Sequence, residues 1–281
     1  SADAARFEGY RRYGVNRLSL GVQSFNDESL RSLGRIHDGK QAATACEIAK
    51  QSGFDNFNID LMFGLPGQNK QSALSDLESA LSQEPKHLSL YQLTIEPGTA
   101  FFREGVAGAD EDRAVELFEA TQEILEAAGF PAYEISNHAK QGDESRHNLT
   151  YWRHDDYLGI GPGAHGRLQL EGTVHETRQH RAPEIWLDRC LSHGHATQRS
   201  TPLTGDLLVE EVTMMGLRLI AGIDGQAFKN RTGLSLGQAF DPNTIAQLTE
   251  AGFLETRPDH LVATAAGRQR LNAVIGQLLN S

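Results

Sequence analysis

Strand-like and helix-like segments alternate through the first half of this chain, and that alternation limits the possible folds more than any other feature. NRLSLGVQSF (16–25), FNIDLMFGL (57–65), HLSLYQLTI (87–95) and AYEISNHA (132–139) have strand character. Helix patterns occupy 40–51, 70–83 and 111–128 between them. Leu74, Leu77 and Leu81 recur at helical spacing in one, as do Val115, Phe118, Ile124 and Leu125 in another. Units of this length predict parallel strands joined by right-handed helical crossovers, in a barrel or an open sheet.

In such folds the carboxyl ends of the strands carry the chemistry. Gln23 and Ser24 end the first strand, Glu96 follows the third in an IEPGT turn, and Glu134 and Asn137 lie in the fourth. Asp60 sits inside an otherwise apolar second strand, where a charge is costly unless an ion pair or a ligand meets it. Gly64-Leu65-Pro66-Gly67 makes a tight exit with accessible backbone, useful to a cofactor or to any turn. Arg35, one loop beyond the first strand, could grip a carboxylate through two hydrogen bonds or simply start a helix in solvent.

RHNLTYWRHDDYLGIGPGAHG (146–166) concentrates histidines and aromatics beside glycine turns. His147, Asn148, Tyr151 and Trp152 form an H-N-x-x-Y-W cluster. Imidazole and large planar rings suit a flat aromatic ligand with a central metal, which His can ligate axially while the rings stack on the macrocycle. The same residues also suit a surface loop anchored by Tyr and Trp. His147 is the first choice of ligand, with His154 and His165 as substitutes.

Beyond about residue 200 the pattern changes to helices at 204–220, 223–232, 243–251 and 268–279, with two short strands around a turn in GFLETRPDHLVATAAG. These helices and a β-wing predict a small winged-helix-like module. The formal net charge of −11 argues against a nucleic-acid binder, because phosphate contacts require a clustered basic surface, so no nucleic-acid partner is expected. No apolar run approaches the ~20 residues of a membrane-spanning helix. Cys46 and Cys190 stand alone, without metal-type spacing, as in a reducing cytoplasm. The chain opens without Met on SADAARFEGYRRYG, a helix already under way, so an N-terminal portion is expected to be missing. That would leave strand 16–25 an exposed edge.

GVNRLSLGVQSF, LGRIH, IDLMFGLPGQ, LSLYQLTIEPGT, YEISN, HNLTYW and GIGPGAHG occur in the order that identifies the HemW group of radical SAM proteins. These are haem chaperones similar to the oxygen-independent coproporphyrinogen III oxidases. The resemblance covers nearly the whole chain and implies an α/β fold: an incomplete parallel (β/α) radical-SAM-type barrel with a haem-motif extension over 1–200, then a winged-helix-like C-terminal domain over 201–281. It implies that Gln23, Arg35 and Asp60 contact S-adenosylmethionine and converge at one rim of the barrel. It also implies that His147, Asn148, Tyr151 and Trp152 hold haem, with His147 on the metal.

Family members carry a C-x-x-x-C-x-x-C motif for a 4Fe–4S cluster. This chain has no such ligands, so radical chemistry is not expected of it alone and no catalytic residue is named. The implied function is delivery of haem to an acceptor apo-protein in the cytoplasm. The alternative is oxidative decarboxylation of porphyrinogen propionates, but that substrate calls for Arg and Lys where the strand ends offer Asp, Glu and Gln. Haem and a haem-accepting apo-protein are the expected partners, with peripheral membrane association and a homodimer as further expectations.

Overall fold

The structure is a computed structural model that describes residues 2–280. It divides into two compact units, Ser1–Glu144 and Ser145–Ser281. The sequence expectation put the boundary near residue 200; the haem-motif segment instead belongs to the second unit.

The first unit runs α1 (Ala2–Arg12), β1 (Leu18–Gln23), α2 (Asp27–Ser32), α3 (Gly39–Gln51), β2 (Phe57–Phe63), α4 (Lys70–Ser82), β3 (His87–Gln92), α5 (Ala100–Arg103), α6 (Glu111–Ala127) and β4 (Asn137–Ala139). Helix starts follow local chemistry: Asp38 with Gln41, and Asn69 with Ser72, form capping boxes at α3 and α4. The sheet order is β1-β2-β3-β4, with β1 at one edge among the described residues. β1, β2 and β3 are parallel, as the alternation predicts.

Because strand side chains alternate between faces, each parallel strand separates an apolar set from a polar one. Val22, Phe57, Ile59, Leu61, Phe63, Leu88 and Leu90 pack on Ala42 and Cys46 of α3, Ala73, Leu77 and Ala80 of α4, and Leu117 and Leu125 of α6. The opposite face carries the polar residues.

The fourth strand differs from expectation. It is three residues long and antiparallel to β3. AYEISNHA folds back on itself, with Ala132 bridged to His138 and the Tyr133 amide donating to the Asn137 carbonyl at 3.1 Å. Inside the turn the buried Glu134 carboxylate accepts from the Ser136 amide at 2.9 Å and from the Asn137 side chain. A turn held from within by a carboxylate cannot run on as a parallel strand.

The second unit begins with α7 (Arg146–Trp152) and an antiparallel sheet of β5 (His165–Leu170), β6 (Thr173–Gln179) and β7 (Thr197–Leu203), with α8 (Pro183–His193) inserted before β7. It continues through α9 (Asp206–Gly216), β8 (Ile223–Asp224), α10 (Gly225–Thr232), α11 (Leu236–Ala239), α12 (Pro242–Glu250), β9 (Leu254–Arg257), β10 (His260–Ala263), α13 (Ala265–Gln269) and α14 (Leu271–Leu279). Strands β8, β10 and β9 form a small antiparallel sheet, the wing expected around the Arg257–His260 turn. Among the described residues no helix is long and apolar enough to cross a membrane.

Candidate functional site

The polar face of the first sheet is built in rows. Ser19 pairs with Asn58 and Asn58 with His87; Gly21 pairs with Asp60, Asp60 with Ser89, and Ser89 with Asn137. The Asn58 amide donates at 2.7 Å to both Ser19 Oγ and Asp60 Oδ1, and its carbonyl oxygen lies 2.7 Å from His87 Nδ1. Since that oxygen can only accept, His87 carries its proton on Nδ1, and Nε2 accepts from Tyr133 OH at 2.9 Å. Burial, with Arg17 and His138 nearby, pushes His87 down to about 3, so the ring is neutral. Ser89 completes the network by donating to Asn137 Oδ1 at 2.8 Å.

Asp60 makes no ion pair with Arg or Lys among the described residues, so the structural pairing that could have explained it is absent. Its carboxylate accepts instead from Ser19 and Asn58. Gln23 comes to the same place by an unusual route. Its φ is 64°, in the left-handed region, and its side chain folds back over Gly21, the register partner of Asp60. A Cβ on Gly21 would lie 3.1 Å from Gln23 Nε2. Gln23 is buried, and its Oε1 has no hydrogen-bond partner, a state that proteins rarely leave uncorrected.

The strand exit is clamped by Asp76 of α4, whose carboxylate accepts from Ser24 Oγ at 2.6 Å and the Phe25 amide at 2.7 Å. Gln23 and Asp60 are therefore brought together. Arg35 is exposed in the turn after α2, and its side chain makes no hydrogen bond or ion pair among the described residues. Glu96 is likewise exposed, and Ser24 serves the clamp. The sequence reading missed Asn58, His87, Ser89 and Asp76. Period-two polar residues within otherwise apolar strands were the available signal for the first three.

In the second unit Ser145 caps α7, its side chain accepting from the Asn148 amide. The cap and the helix turn put His147 and Tyr151 on one face, four residues apart. Their rings meet edge to face with centroids 4.7 Å apart, and Tyr151 meets Tyr157 in the same manner at 4.5 Å. His147 is exposed, and its imidazole makes no hydrogen bond among the described residues. Trp152 points elsewhere: the Arg218 guanidinium lies 4.4 Å over its ring, so one face is already covered.

His154, the first substitute ligand, is buried and has both ring nitrogens engaged. Nε2 lies 3.1 Å from Glu211 Oε1, and Nδ1 accepts from Arg231 Nε at 2.9 Å. Glu211 also takes two hydrogen bonds from Arg167, at 2.6 and 3.2 Å. Burial alone would raise the Glu211 carboxyl, but His154 and Arg167 hold it down to about 2. His165, the other substitute, is exposed, 3.6 Å from Glu176. The GIGPGAHG turn closes by backbone approach, since a Cβ on Gly166 would lie 2.6 Å from Thr177 Oγ1 and 2.9 Å from the Tyr157 carbonyl.

A mainly parallel sheet with one helix-covered and one polar face, and a helical module with a β-wing later in the chain, is the α/β architecture that comparison with known proteins identifies as of the radical SAM class. The radical SAM superfamily model matches residues 2–80 and the HemN C-terminal domain model matches residues 203–270. Heme chaperone HemW of Haemophilus influenzae is 37% identical over 278 residues, covering 98% of this chain and 70% of the relative. Heme chaperone HemW of Escherichia coli is 39% identical over 280 residues, covering 98% and 71%. The chain belongs to the HemW family. Among solved structures, the radical SAM enzyme coproporphyrinogen III oxidase of Escherichia coli aligns with a TM-score of 0.76 at 21% identity, over 98% of this chain and 66% of that one; at this identity the likeness shows the fold alone.

Proposed function

We propose that this chain binds haem through α7 and passes it to an acceptor apo-protein, as the relatives' name of heme chaperone suggests. One observation carries the reading: His147 is an exposed imidazole with no hydrogen bond among the described residues, set against Tyr151 on an ordered helix. An axial ligand needs an open ring nitrogen, and a macrocycle needs flat apolar neighbours. His147 offers the first; Tyr151, backed by Tyr157, offers the second. Asn148 stands beside them on the helix, and Trp152 with Arg218 secures its end.

S-adenosylmethionine belongs to the polar face of the first sheet in this reading. The unpartnered Gln23 Oε1 and the Asp60 carboxylate are acceptors suited to a ligand with an ammonium group, ribose hydroxyls and a sulfonium charge, and Arg35 would meet its carboxylate from the neighbouring turn. When bound, that cofactor supplies a sulfonium centre open to reductive cleavage. A 4Fe–4S cluster does not fit the residues of this chain. Among the described residues no three His, Cys, Asp or Glu side chains are grouped to hold a metal, and burial pushes the Cys46 thiol up to about 11. Both cysteines are free, which suits a reducing cytoplasm.

The test is transfer. Full-length chain loaded with one equivalent of haem is mixed with a haem-free b-type cytochrome, and the two are separated and scanned. The cytochrome should gain its own Soret spectrum while the chain loses haem. A cytochrome that stays colourless beside a chain that keeps its haem would remove the delivery function and leave only storage.

A further inference from the structure

We infer that His154 is a positioning residue, locking the haem-motif helix to the C-terminal module so that His147 and Tyr151 are presented as one preformed surface. The inference rests on the haem reading above and extends it to residues outside the H-N-x-x-Y-W cluster.

His154 follows Trp152 by two residues and adopts φ 55°, a left-handed conformation that costs a non-glycine residue energy and persists only when its surroundings hold it. The surroundings are polar and buried. Arg231 of α10 can only donate, so its hydrogen bond at 2.9 Å fixes Nδ1 as the acceptor. The ring proton then sits on Nε2, facing Glu211 of α9 at 3.1 Å. Each partner is held in turn. Glu211 receives the two-pronged Arg167 contact from β5, and Arg231 donates through Nη1 to Asp156 Oδ1 at 2.6 Å. The other oxygen of Asp156 accepts from the Gln169 amide at 2.9 Å.

A neutral imidazole thus joins the end of α7 to α9 and α10, both within the residues matched by the HemN C-terminal domain model. Ligating iron would require His154 to give up one of these bonds. His147, with none to lose, is the ligand, and His154 sets where it stands. Packing of α7 on α9 and the Arg218–Trp152 contact support the same junction.

Two readouts test this on the full chain: haem titration at the Soret band, and hydrogen exchange of the α7 amides without haem. His154→Gly removes the imidazole while accommodating the positive φ, and Arg231→Met removes one partner. Each should speed exchange in α7 and weaken haem binding by about tenfold, at the low end of losses seen when residues supporting a metal ligand are removed. The Soret maximum should stay at its wild-type position. A Soret shift in His154→Gly matching that of His147→Ala would make His154 a ligand and overturn the inference. Wild-type exchange and affinity in both variants would also overturn it. If the wild-type chain takes up no haem, the haem reading fails, and the exchange data alone decide the coupling. If His154→Gly does not fold, Arg231→Met decides.

Discussion

His87, on the polar face of the first sheet, and His138, on the helix-covered face beside Gln122 of α6, are both buried and held neutral, and this makes the first unit sensitive to acid. Burial is the main cause for both, lowering His87 to about 3 and His138 to about 4 from an ordinary 6.5. Above pH 6.5 neither state binds these protons, so they contribute no pH dependence. Below it the unfolded chain takes up protons that the native rings refuse, and stability falls until the native values are reached. Each histidine contributes a slope of at most about 1.4 kcal/mol per pH unit. His138→Gln should therefore flatten the loss of stability between pH 6.5 and 4 in urea unfolding; a slope equal to wild type would show that His138 is not buried as a neutral ring. Asp60 was legible in sequence because a charge inside an apolar strand must find a partner. Asn58, His87 and Ser89 were not, since each alone reads as an ordinary strand polar residue, and only the parallel register makes them neighbours.

At the scale of elements, close approach decides which residues are tolerated. Gly39 opens α3 beneath the strand-exit loop, and a Cβ there would lie 2.1 Å from the Phe25 carbonyl oxygen. Gly39→Ala should destabilise the protein by about 1–3 kcal/mol, as overpacking does. Gly276, in α14, has nothing within 4 Å of its Cβ position, so Gly276→Ala should instead stabilise by about 0.5–1 kcal/mol. Thermal unfolding of the two variants checks the contrast, and equal melting temperatures would contradict it. The parallel strands and long helices were readable because their apolar periods are regular and capped. The β5–β6–β7 sheet was not: the polarity of TVHETRQ in β6 and the Pro202 of β7 hide a sheet with little apolar alternation. The YEISN turn was misread as strand because its Tyr and Ile favour strands, while Glu134 forms a turn from within.

For the whole molecule, the family was legible from motif order, whereas the unit boundary was not. Residues 145–200 carry the haem motif that extends the barrel in the family resemblance, yet they pack with the C-terminal module through His154 and Glu211. A composition shift near residue 200 cannot reveal a contact made by residues 57 positions apart. The central claim is that haem is held by His147 on α7, and haem titration of the full chain beside His147→Ala tests it most directly. Saturation at one haem per chain, with a shifted Soret band and at least about tenfold weaker binding in His147→Ala, is the expected result. Superimposable titrations and spectra for the two proteins would place the haem ligand elsewhere.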